Sequence, residues 1–211
     1  MRLRLDLHVH TDQSIDGRIR FKELVNRCWS MGLDGFAVTD HDTVKGVPEI
    51  LKKGGELTII PGLEVSARGA HIIALDVREP ISAGLSLAET VEKIRDQGAI
   101  SVIAHPHSLI RSPPTDRELI DSKIEAVEAA NSSHIPFDWL LRKNEALAKR
   151  LKLPVTGGSD AHIPEVVGRA FTIVETDSNE IDDVITSIRS GRTEASGKGI
   201  TLMEKIRKFM L

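Results

Sequence analysis

The sequence contains little of several residue types, and each shortage excludes a class of protein. A single cysteine, Cys28, means that no disulfide can form within the chain, which is compatible with a reducing compartment. Tyrosine is absent and aromatic residues make up only 3%, which argues against base stacking along extended single strands. A formal net charge of −3 provides no overall basic surface for holding long nucleic acid.

Long apolar runs are also missing. No stretch approaches the ~20 consecutive apolar residues that a membrane-spanning helix requires. The amino terminus carries no signal-peptide pattern. We therefore expect a cytoplasmic protein with no membrane partner, while the oligomeric state stays open.

The composition is that of an ordinary globular protein. With 211 residues, 40% hydrophobic and 28% charged, the chain is long enough for one domain with a sizeable core. We predict that this domain covers residues 1–195. Residues 196–211, where apolar residues alternate with lysine and arginine, are predicted to form an amphipathic helix packed on it, with a subunit contact or a membrane-surface contact as alternatives.

Strand-like and helix-like segments alternate along the chain. Strands are predicted at 2–9, 35–39, 57–60, 70–75, 99–104, 154–157 and 170–174. Helices are predicted at 21–31, 47–53, 87–94, 140–151 and 181–188, and segment 124–130 suits either state. Cys28 lies on the apolar face of the first helix, which favours a core position over a nucleophile. This alternation indicates an α/β fold with a largely parallel sheet.

The first strand ends in Asp6-Leu7-His8-Val9-His10. The period of two in a strand puts His8 and His10 on the same side, where both imidazoles could hold one cation. Later strands also end in residues that bind metals, namely Asp40 with His41, Glu64, His105, and Asp160 with His162. Because functional groups gather at the carboxyl ends of parallel strands, we expect these side chains to meet at one end of the sheet.

Histidine nitrogens and carboxylate oxygens without cysteine favour divalent ions such as Zn, Mn, Fe or Mg. One ion cannot use all the available ligands, so two or three ions are expected; the ligands are His8, His10, Asp16, His41, Glu64, His105, Asp160 and His162. We predict that Glu64 bridges two ions, because a tight Pro61-Gly62 turn would hold it at the strand end. A hydroxide activated by such ions would attack a phosphate ester directly.

Five motifs occur in an order that resembles the PHP family, named for its polymerase and histidinol phosphatase members. They are DLHVH at 6–10, TDHD at 39–42, PGLEVS at 61–66, VIAHPH at 102–107 and TGGSDAH at 156–162. The resemblance covers about residues 3–175. It implies a distorted (β/α)7 TIM-like barrel, with a two- or three-metal site at the carboxyl ends of its strands, that hydrolyses phosphate esters.

The resemblance also implies how the ligands are shared among the ions. One site would take His8, His10, Glu64 and Asp160, and another Asp16, His41 and His162. The middle site would take Glu64, His105 and a further histidine, for which His71 is preferred and His134 is the alternative. Glu64, His105, Asp160 and His162 are predicted to be catalytic, and Asp40 is expected to orient His41 or a neighbour.

Three loop arginines, Arg18, Arg111 and Arg169, are predicted to contact a phosphate group. We expect a small phosphorylated substrate, with nucleotides or short oligonucleotides favoured, so that short single-stranded nucleic acid is an allowed partner. The alternative substrate is a histidinol or sugar phosphate. Two other classes are considered: a non-catalytic structural or regulatory metal-binding module, and an amidohydrolase.

Overall fold

The computed structural model describes residues 1–53, 55–108, 113–201, 203–205 and 207, and their strands form two five-stranded sheets. The first sheet has β1 (Arg2–Val9) at its centre, parallel to β2 (Gly35–Val38) and antiparallel to β9 (Ala170–Glu175). The edges are β3 (Thr58–Ile60), parallel to β2, and β10 (Thr193–Gly197), antiparallel to β9.

The second sheet consists of β4 (Gly62–Ala67), β5 (Ala70–Leu75), β6 (Ile100–Ile103), β7 (Ala126–Asn131) and β8 (Val155–Gly158), in that order. Strands β6 to β8 are parallel, whereas β5 is antiparallel to both of its neighbours. The expectation of a largely parallel sheet is therefore right for β1 to β3 and for β6 to β8, and wrong around β5. Only two residues join β4 to β5, and so short a connection permits only an antiparallel hairpin.

Most helices begin and end where the sequence indicates. The α-helices are α1 (Phe21–Met31), α2 (Val47–Lys53), α3 (Leu87–Asp96), α4 (Asp116–Ser122), α5 (Phe137–Leu151) and α6 (Ile181–Arg189). Ser86 caps α3 by accepting the amide of Glu89, whose carboxylate accepts the amide of Ser86 in return. Thr115 and Glu118 form the same capping box on α4, a helix absent from our predictions. The threonine followed three residues later by a glutamate was the sequence pattern that indicated the start of this helix.

Apolar residues from both sheets fill the space between them. Leu3, Leu5 and Leu7 of β1 pack in one cluster with Ile73 of β5 and Val102 of β6. Helix α6 packs against the same cluster, while α3 and α5 pack against a second cluster on the second sheet. Cys28 is fully buried with Phe36 in a third cluster beneath α1, which confirms its core position.

Two isolated bridges join the sheets beside the carboxyl ends of their parallel strands. Val9 pairs with Ala161, just after β8, and His41, just after β2, pairs with Glu64 of β4. The amide of His10 donates to the carbonyl of Ala161, and the amide of Asp160 donates to the carbonyl of His8. The end of β1 is therefore held beside the end of β8, and the residue after β2 beside β4, where the predicted metal ligands lie.

Within the described ranges, no helix has the length and apolar character needed to cross a bilayer. Residues 203–205 and 207 are helical, and Thr201 with Glu204 forms a capping box at this segment. The other residues of the predicted carboxyl-terminal helix, 202, 206 and 208–211, lie outside the described residues. Strand β10 crosses the boundary that we placed at residue 195, and the division there stays a prediction.

Candidate metal centre

His8 and His10 meet at the end of β1. Their Nε2 atoms are 3.1 Å apart, and both side chains are completely buried. Two nitrogens that share a tetrahedral ion at about 2.0–2.1 Å lie roughly 3.3 Å apart, so the observed separation fits a common cation. The period-two prediction for this strand end therefore agrees with the geometry.

Glu64 lies at the centre of the imidazoles and is 1% exposed. Its Oε2 atom is 3.2 Å from His8 Nε2 and 3.3 Å from His10 Nε2. Its Oε1 atom is 2.9 Å from His71 Nδ1 and 3.0 Å from His105 Nε2. This carboxylate therefore contacts groups on two sides, which is the arrangement a bridging ligand needs.

The local reason that we gave for the position of Glu64 is wrong. We expected a tight Pro61-Gly62 turn after the third strand, but Gly62 begins β4 and Glu64 is the third residue of that strand. The side chain is held by pairing of Glu64 with Ile73 on β5 and with His41 on its other side. No Cβ fits at Gly62, where it would lie 2.4 Å from the carbonyl oxygen of Ala74.

Asp16, His41 and His162 form a second group beside His10. The Oδ2 atom of Asp16 lies 3.0 Å from His162 Nε2 and 3.5 Å from His41 Nε2. The ring of His162 stacks on that of His10, with centroids 4.1 Å apart. Asp16 is the most exposed member, because it lies in the loop after β1.

Asp160 reaches both groups. Its Oδ1 atom is 3.6 Å from His10 Nε2 and 3.5 Å from His162 Nδ1. Asp160 and His105 have positive φ angles of 53° and 31°, a backbone region that side chains seldom occupy. Backbone strain of this kind tends to occur at functional sites, where surrounding structure holds a side chain in one direction.

Among the residues that the structure describes, three overlapping groups of ligand atoms satisfy the spacing of an ion, with all ligand atoms in each group within 4.8 Å of one another. They are His10 with Asp16, His41 and His162; His8 with His10 and Glu64; and His41 with Glu64 and His71. The donors are nitrogen and oxygen only, and the buried Nδ1 atom of His41 has no hydrogen-bond partner within the described part of the chain. The residues therefore fit divalent cations of the borderline and hard types.

The electrostatics of the cluster lead to the same conclusion. Burial raises the pKa of Glu64, but the charge of His8 and hydrogen bonds with His10, His105 and His71 hold it well below its usual value. Burial lowers the pKa of His10 to about 3, whereas Glu128, Glu64 and Asp160 outweigh burial at His8 and raise its pKa well above the ordinary value. The buried carboxylates thus require positive charge, which protons or cations can supply.

Glu128 is the site residue that our sequence reasoning missed. It is 1% exposed, and its Oε1 atom lies 2.7 Å from His8 Nδ1. Its Oε2 atom accepts the backbone amide of His105 and the side-chain amide of Asn131. The sequence does contain a signal for this residue, since Glu128 is an acidic residue inside the largely apolar segment AVEAAN. A charge buried in such a segment needs a partner, which indicates a role at a site.

Asp40 orients a neighbour, although the residue is not His41. Its carboxylate accepts the amide and the hydroxyl of Thr11, at 2.5 and 2.7 Å. These bonds fix the start of the loop that carries Asp16. Asp40 thus acts on the chain after His10 rather than on the imidazole beside it in sequence.

His134 lies apart from the three ligand groups. It is 5% exposed, and neither ring nitrogen has a hydrogen-bond partner among the described residues. His71, by contrast, is 2.9 Å from Glu64. The geometry therefore favours His71 over His134 beside Glu64 and His105.

Arg18 and Arg169 make their described side-chain contacts away from the cluster. Arg18 lines a separate cleft with Arg27 and Glu165. Arg169 forms a close ion pair with Glu204, and Arg111 lies outside the described residues. Contact of any of them with a phosphate group stays a prediction.

A cavity of about 370 Å³ opens beside the cluster, at the lower end of the ~300–1,000 Å³ typical of small-molecule sites. Asp16, Glu64 and Asp160 contribute carboxylates to its lining. Ile103, Pro106, Pro114 and Ile200 contribute apolar surface, and His134 and Lys205 lie on the same lining. Lys205 is the only lysine or arginine among the described lining residues.

Comparisons with known proteins connect this site with phosphoesterases. A family model described as PHP-associated matches residues 139–193. The chain is 33% identical over 144 residues to the uncharacterized protein MJ1587 of Methanocaldococcus jannaschii, a match that covers 63% of this chain and 84% of the relative. It is 32% identical over 108 residues to a 5'-3' exoribonuclease of Haemophilus influenzae, a match that covers 48% of this chain.

The match spans only 39% of the exoribonuclease, so most of that relative has no counterpart in the alignment. Among solved structures, the fold resembles a two-domain protein of Bacteroides vulgatus described as containing a predicted PHP-like metal-dependent phosphoesterase, with a TM-score of 0.78. That match covers 100% of this chain and 69% of the other at 18% identity. Because the identity is only 18%, this similarity is evidence for a shared fold and for nothing more specific.

Proposed function

The chain belongs to the PHP family of metal-dependent phosphoesterases, and from this premise we propose that it hydrolyses phosphate esters of small substrates, with nucleotides or short oligonucleotides favoured. The observation that carries the proposal is the buried carboxylate of Glu64, which lies within 3.3 Å of five imidazoles at the edge of a 370 Å³ cavity; these are His8, His10, His41, His71 and His105. The exoribonuclease relative supports the preference for nucleotides.

We propose that three groups of side chains hold two or three divalent ions from among Zn, Mn, Fe and Mg. The groups are His8, His10, Glu64 and Asp160; Glu64, His71 and His105; and Asp16, His41 and His162. When bound, such ions lower the pKa of water and offset negative charge on a phosphoryl oxygen. The bridges that join the two sheets also support a distorted (β/α)7 barrel, in which these groups share one end.

The protein's own residues orient the reacting groups. The Nδ1–H group of His162 donates to the backbone oxygen of Asp160, which leaves Nε2 directed at Asp16. Glu128 fixes the ring of His8 in the same way. Asp160 and His105 line the cavity, and we propose that they orient the substrate and its attacking water, together with Glu64 and His162.

Direct attack by water suits this cavity better than a covalent intermediate. Cys28, the single cysteine of the chain, is buried in the core beneath α1, and burial raises the pKa of its thiol far above the ordinary value. It therefore cannot attack a substrate. Lys205 adds a positive charge to the lining and suits an anionic substrate.

A screen of phosphomonoesters and phosphodiesters with Mn, Zn, Mg or no added metal tests the proposal. The substrates include AMP, short oligoribonucleotides, histidinol phosphate and a sugar phosphate. We expect metal-dependent hydrolysis of the nucleotide class; preferential release of phosphate from histidinol or sugar phosphate would favour the alternative substrate. A cytoplasmic location stays a prediction from the sequence.

Two outcomes would overturn the proposal. Stoichiometric metal binding without hydrolysis of any ester would indicate a structural or regulatory module. Ring opening of a cyclic amide or release of ammonia, with no ester cleaved, would indicate an amidohydrolase.

A further inference from the structure

His134 is a buried polar side chain that the proposed metal groups do not use. It is 5% exposed and lines the cavity, and neither of its ring nitrogens has a hydrogen-bond partner among the described residues. Buried polar groups are nearly always paired, so an imidazole whose two nitrogens have no partner among the described residues is suited to a hydrogen-bond partner in the cavity. Its place on the lining makes a bound ligand the natural source of that partner.

The loop that carries His134 is fixed on both sides. The amide of His134 donates to the carbonyl of Asn131, and the amide of Ile200 donates to the carbonyl of Ser132. Gly199 approaches so closely that an added Cβ would lie 2.9 Å from the Cβ atom of Phe137. The carboxyl-terminal segment therefore holds this loop beside the cavity.

The same segment brings a positive charge to the cavity. The amide of Lys205 donates to the carbonyl of Thr201, and the neighbouring Glu204 pairs with Arg169 and with Thr201. These contacts hold Lys205 on the lining that His134 also shares. A substrate with both a hydroxyl-bearing and an anionic part would therefore find a partner for each.

The charge state of His134 limits which chemical groups can form hydrogen bonds with both of its ring nitrogens. Burial lowers the pKa of His134 to about 4, so the imidazole is neutral at pH 7. A neutral imidazole offers one N–H donor and one acceptor nitrogen. A dianionic phosphate offers only acceptors, whereas a hydroxyl group both accepts and donates, so hydroxyl groups satisfy both nitrogens.

We propose that His134 binds a ribose hydroxyl of the leaving group, and that Lys205 pairs with an anionic group of the same substrate. This inference rests on the proposed function and specifies the substrate class of the same cavity. It makes His134 a specificity residue that favours ribonucleotides over deoxyribonucleotides. A site with buried polar groups rejects an analogue that lacks the matching hydroxyl, because those groups are then left unpaired.

The kinetic test compares AMP with dAMP, and a short oligoribonucleotide with its deoxy counterpart, under metal-saturating conditions. In the wild-type protein we expect kcat/KM to be at least ~10-fold higher for the ribose substrate, as loss of one buried hydrogen bond implies. In His134→Ala this preference should fall to near unity. His134→Gln retains a donor and an acceptor and should keep part of it, while Lys205→Ala should lower kcat/KM for both sugars without changing their ratio.

His107→Ala is the matched control, because His107 bonds to Asn144 and is absent from the described lining. It should leave the ratio unchanged. Circular dichroism and bound metal content, measured for every variant, separate a folding defect from a change in specificity. Equal kcat/KM for ribose and deoxyribose in the wild type, or a ratio unaltered in His134→Ala, would overturn the inference while the phosphoesterase function stood.

A binding measurement tests the role of His134 independently of the phosphoesterase function. Calorimetry on the metal-loaded protein compares adenosine with 2'-deoxyadenosine, neither of which can be hydrolysed at phosphorus. Tighter binding of adenosine that is lost in His134→Ala supports the inference even if no ester is cleaved. Equal binding of both nucleosides, or of neither, argues against it and indicates that water satisfies the imidazole.

Discussion

The Nδ1 atom of His8 lies 2.7 Å from the Oε1 atom of Glu128, a residue 120 positions further along the chain. Both side chains are buried and come from strands of different sheets. The carboxylate holds the N–H on Nδ1 and leaves Nε2 facing His10 and Glu64. A contact between the two sheets thus sets the direction of a proposed ligand.

Glu128→Gln tests this role. The side-chain amide of the glutamine can still form a hydrogen bond with His8, but it lacks the negative charge that keeps the N–H on Nδ1. We therefore expect metal affinity to fall about 10- to 100-fold. Metal titration followed by activity measures the change, and excess metal should restore part of kcat. Glu145→Gln, an exposed residue of α5, is the matched control. An unchanged titration midpoint in Glu128→Gln would contradict the positioning role.

His10→Ala should remove both metal and activity. The imidazole of His10 is buried and lies against Glu64, His8 and His162, so its removal takes a nitrogen donor from the centre of the cluster. We expect activity to fall at least ~100-fold, because loss of a ligand costs more than loss of a residue behind it. Elemental analysis of the purified protein should show less bound metal. Near-normal turnover in a correctly folded variant would refute the ligand assignment.

Removal of divalent ions should destabilise the folded chain. The carboxylate of Glu64 is buried among imidazoles, so a bound cation replaces protons and stabilises the native state. Ions at a hundredfold excess over Kd contribute about 2.7 kcal/mol. Thermal melts with and without chelator should therefore differ by several degrees, and re-addition of Mn or Zn should reverse the change. Identical melts would show that the cluster holds no ion under these conditions.

Gly158→Ala should displace β8 from β1. A Cβ at residue 158 would lie 2.3 Å from the Cβ atom of His8 and 2.5 Å from its backbone nitrogen. We expect a loss of about 1–3 kcal/mol of unfolding free energy by chemical denaturation. Activity should fall roughly 100-fold as His8 moves.

Gly46→Ala is the control for this clash. Its Cβ would meet the flexible side chain of Gln13, whose Cγ atom is 2.9 Å away and can move. The control should lose less than about 1 kcal/mol, because the contacting group is mobile. Equal stability of the two variants would show that the contact at residue 158 is relieved in another way.

Local sequence signals predicted most elements correctly. The apolar period of α1, an 11-residue helix, and its end at Gly32, which has a φ angle of 63°, can be read from adjacent residues of the chain. The alternation that predicts β1 is equally local. In contrast, β10 and the position of Glu64 inside β4 depend on pairing with distant strands, and no local pattern reports such pairing.

The sequence by itself determined the chemistry of this protein: the motifs supply the nitrogen and oxygen donors, and their positions relative to the strands predict that they meet. Only the tertiary structure decided which donors lie close together, because distance in space is set by strand order and sheet contacts. It brought His71 to Glu64, brought Glu128 behind His8, and placed His134 on the cavity lining without a side-chain partner among the described residues. It also paired Arg169 with Glu204, since an arginine in a loop binds whichever carboxylate the fold brings nearest.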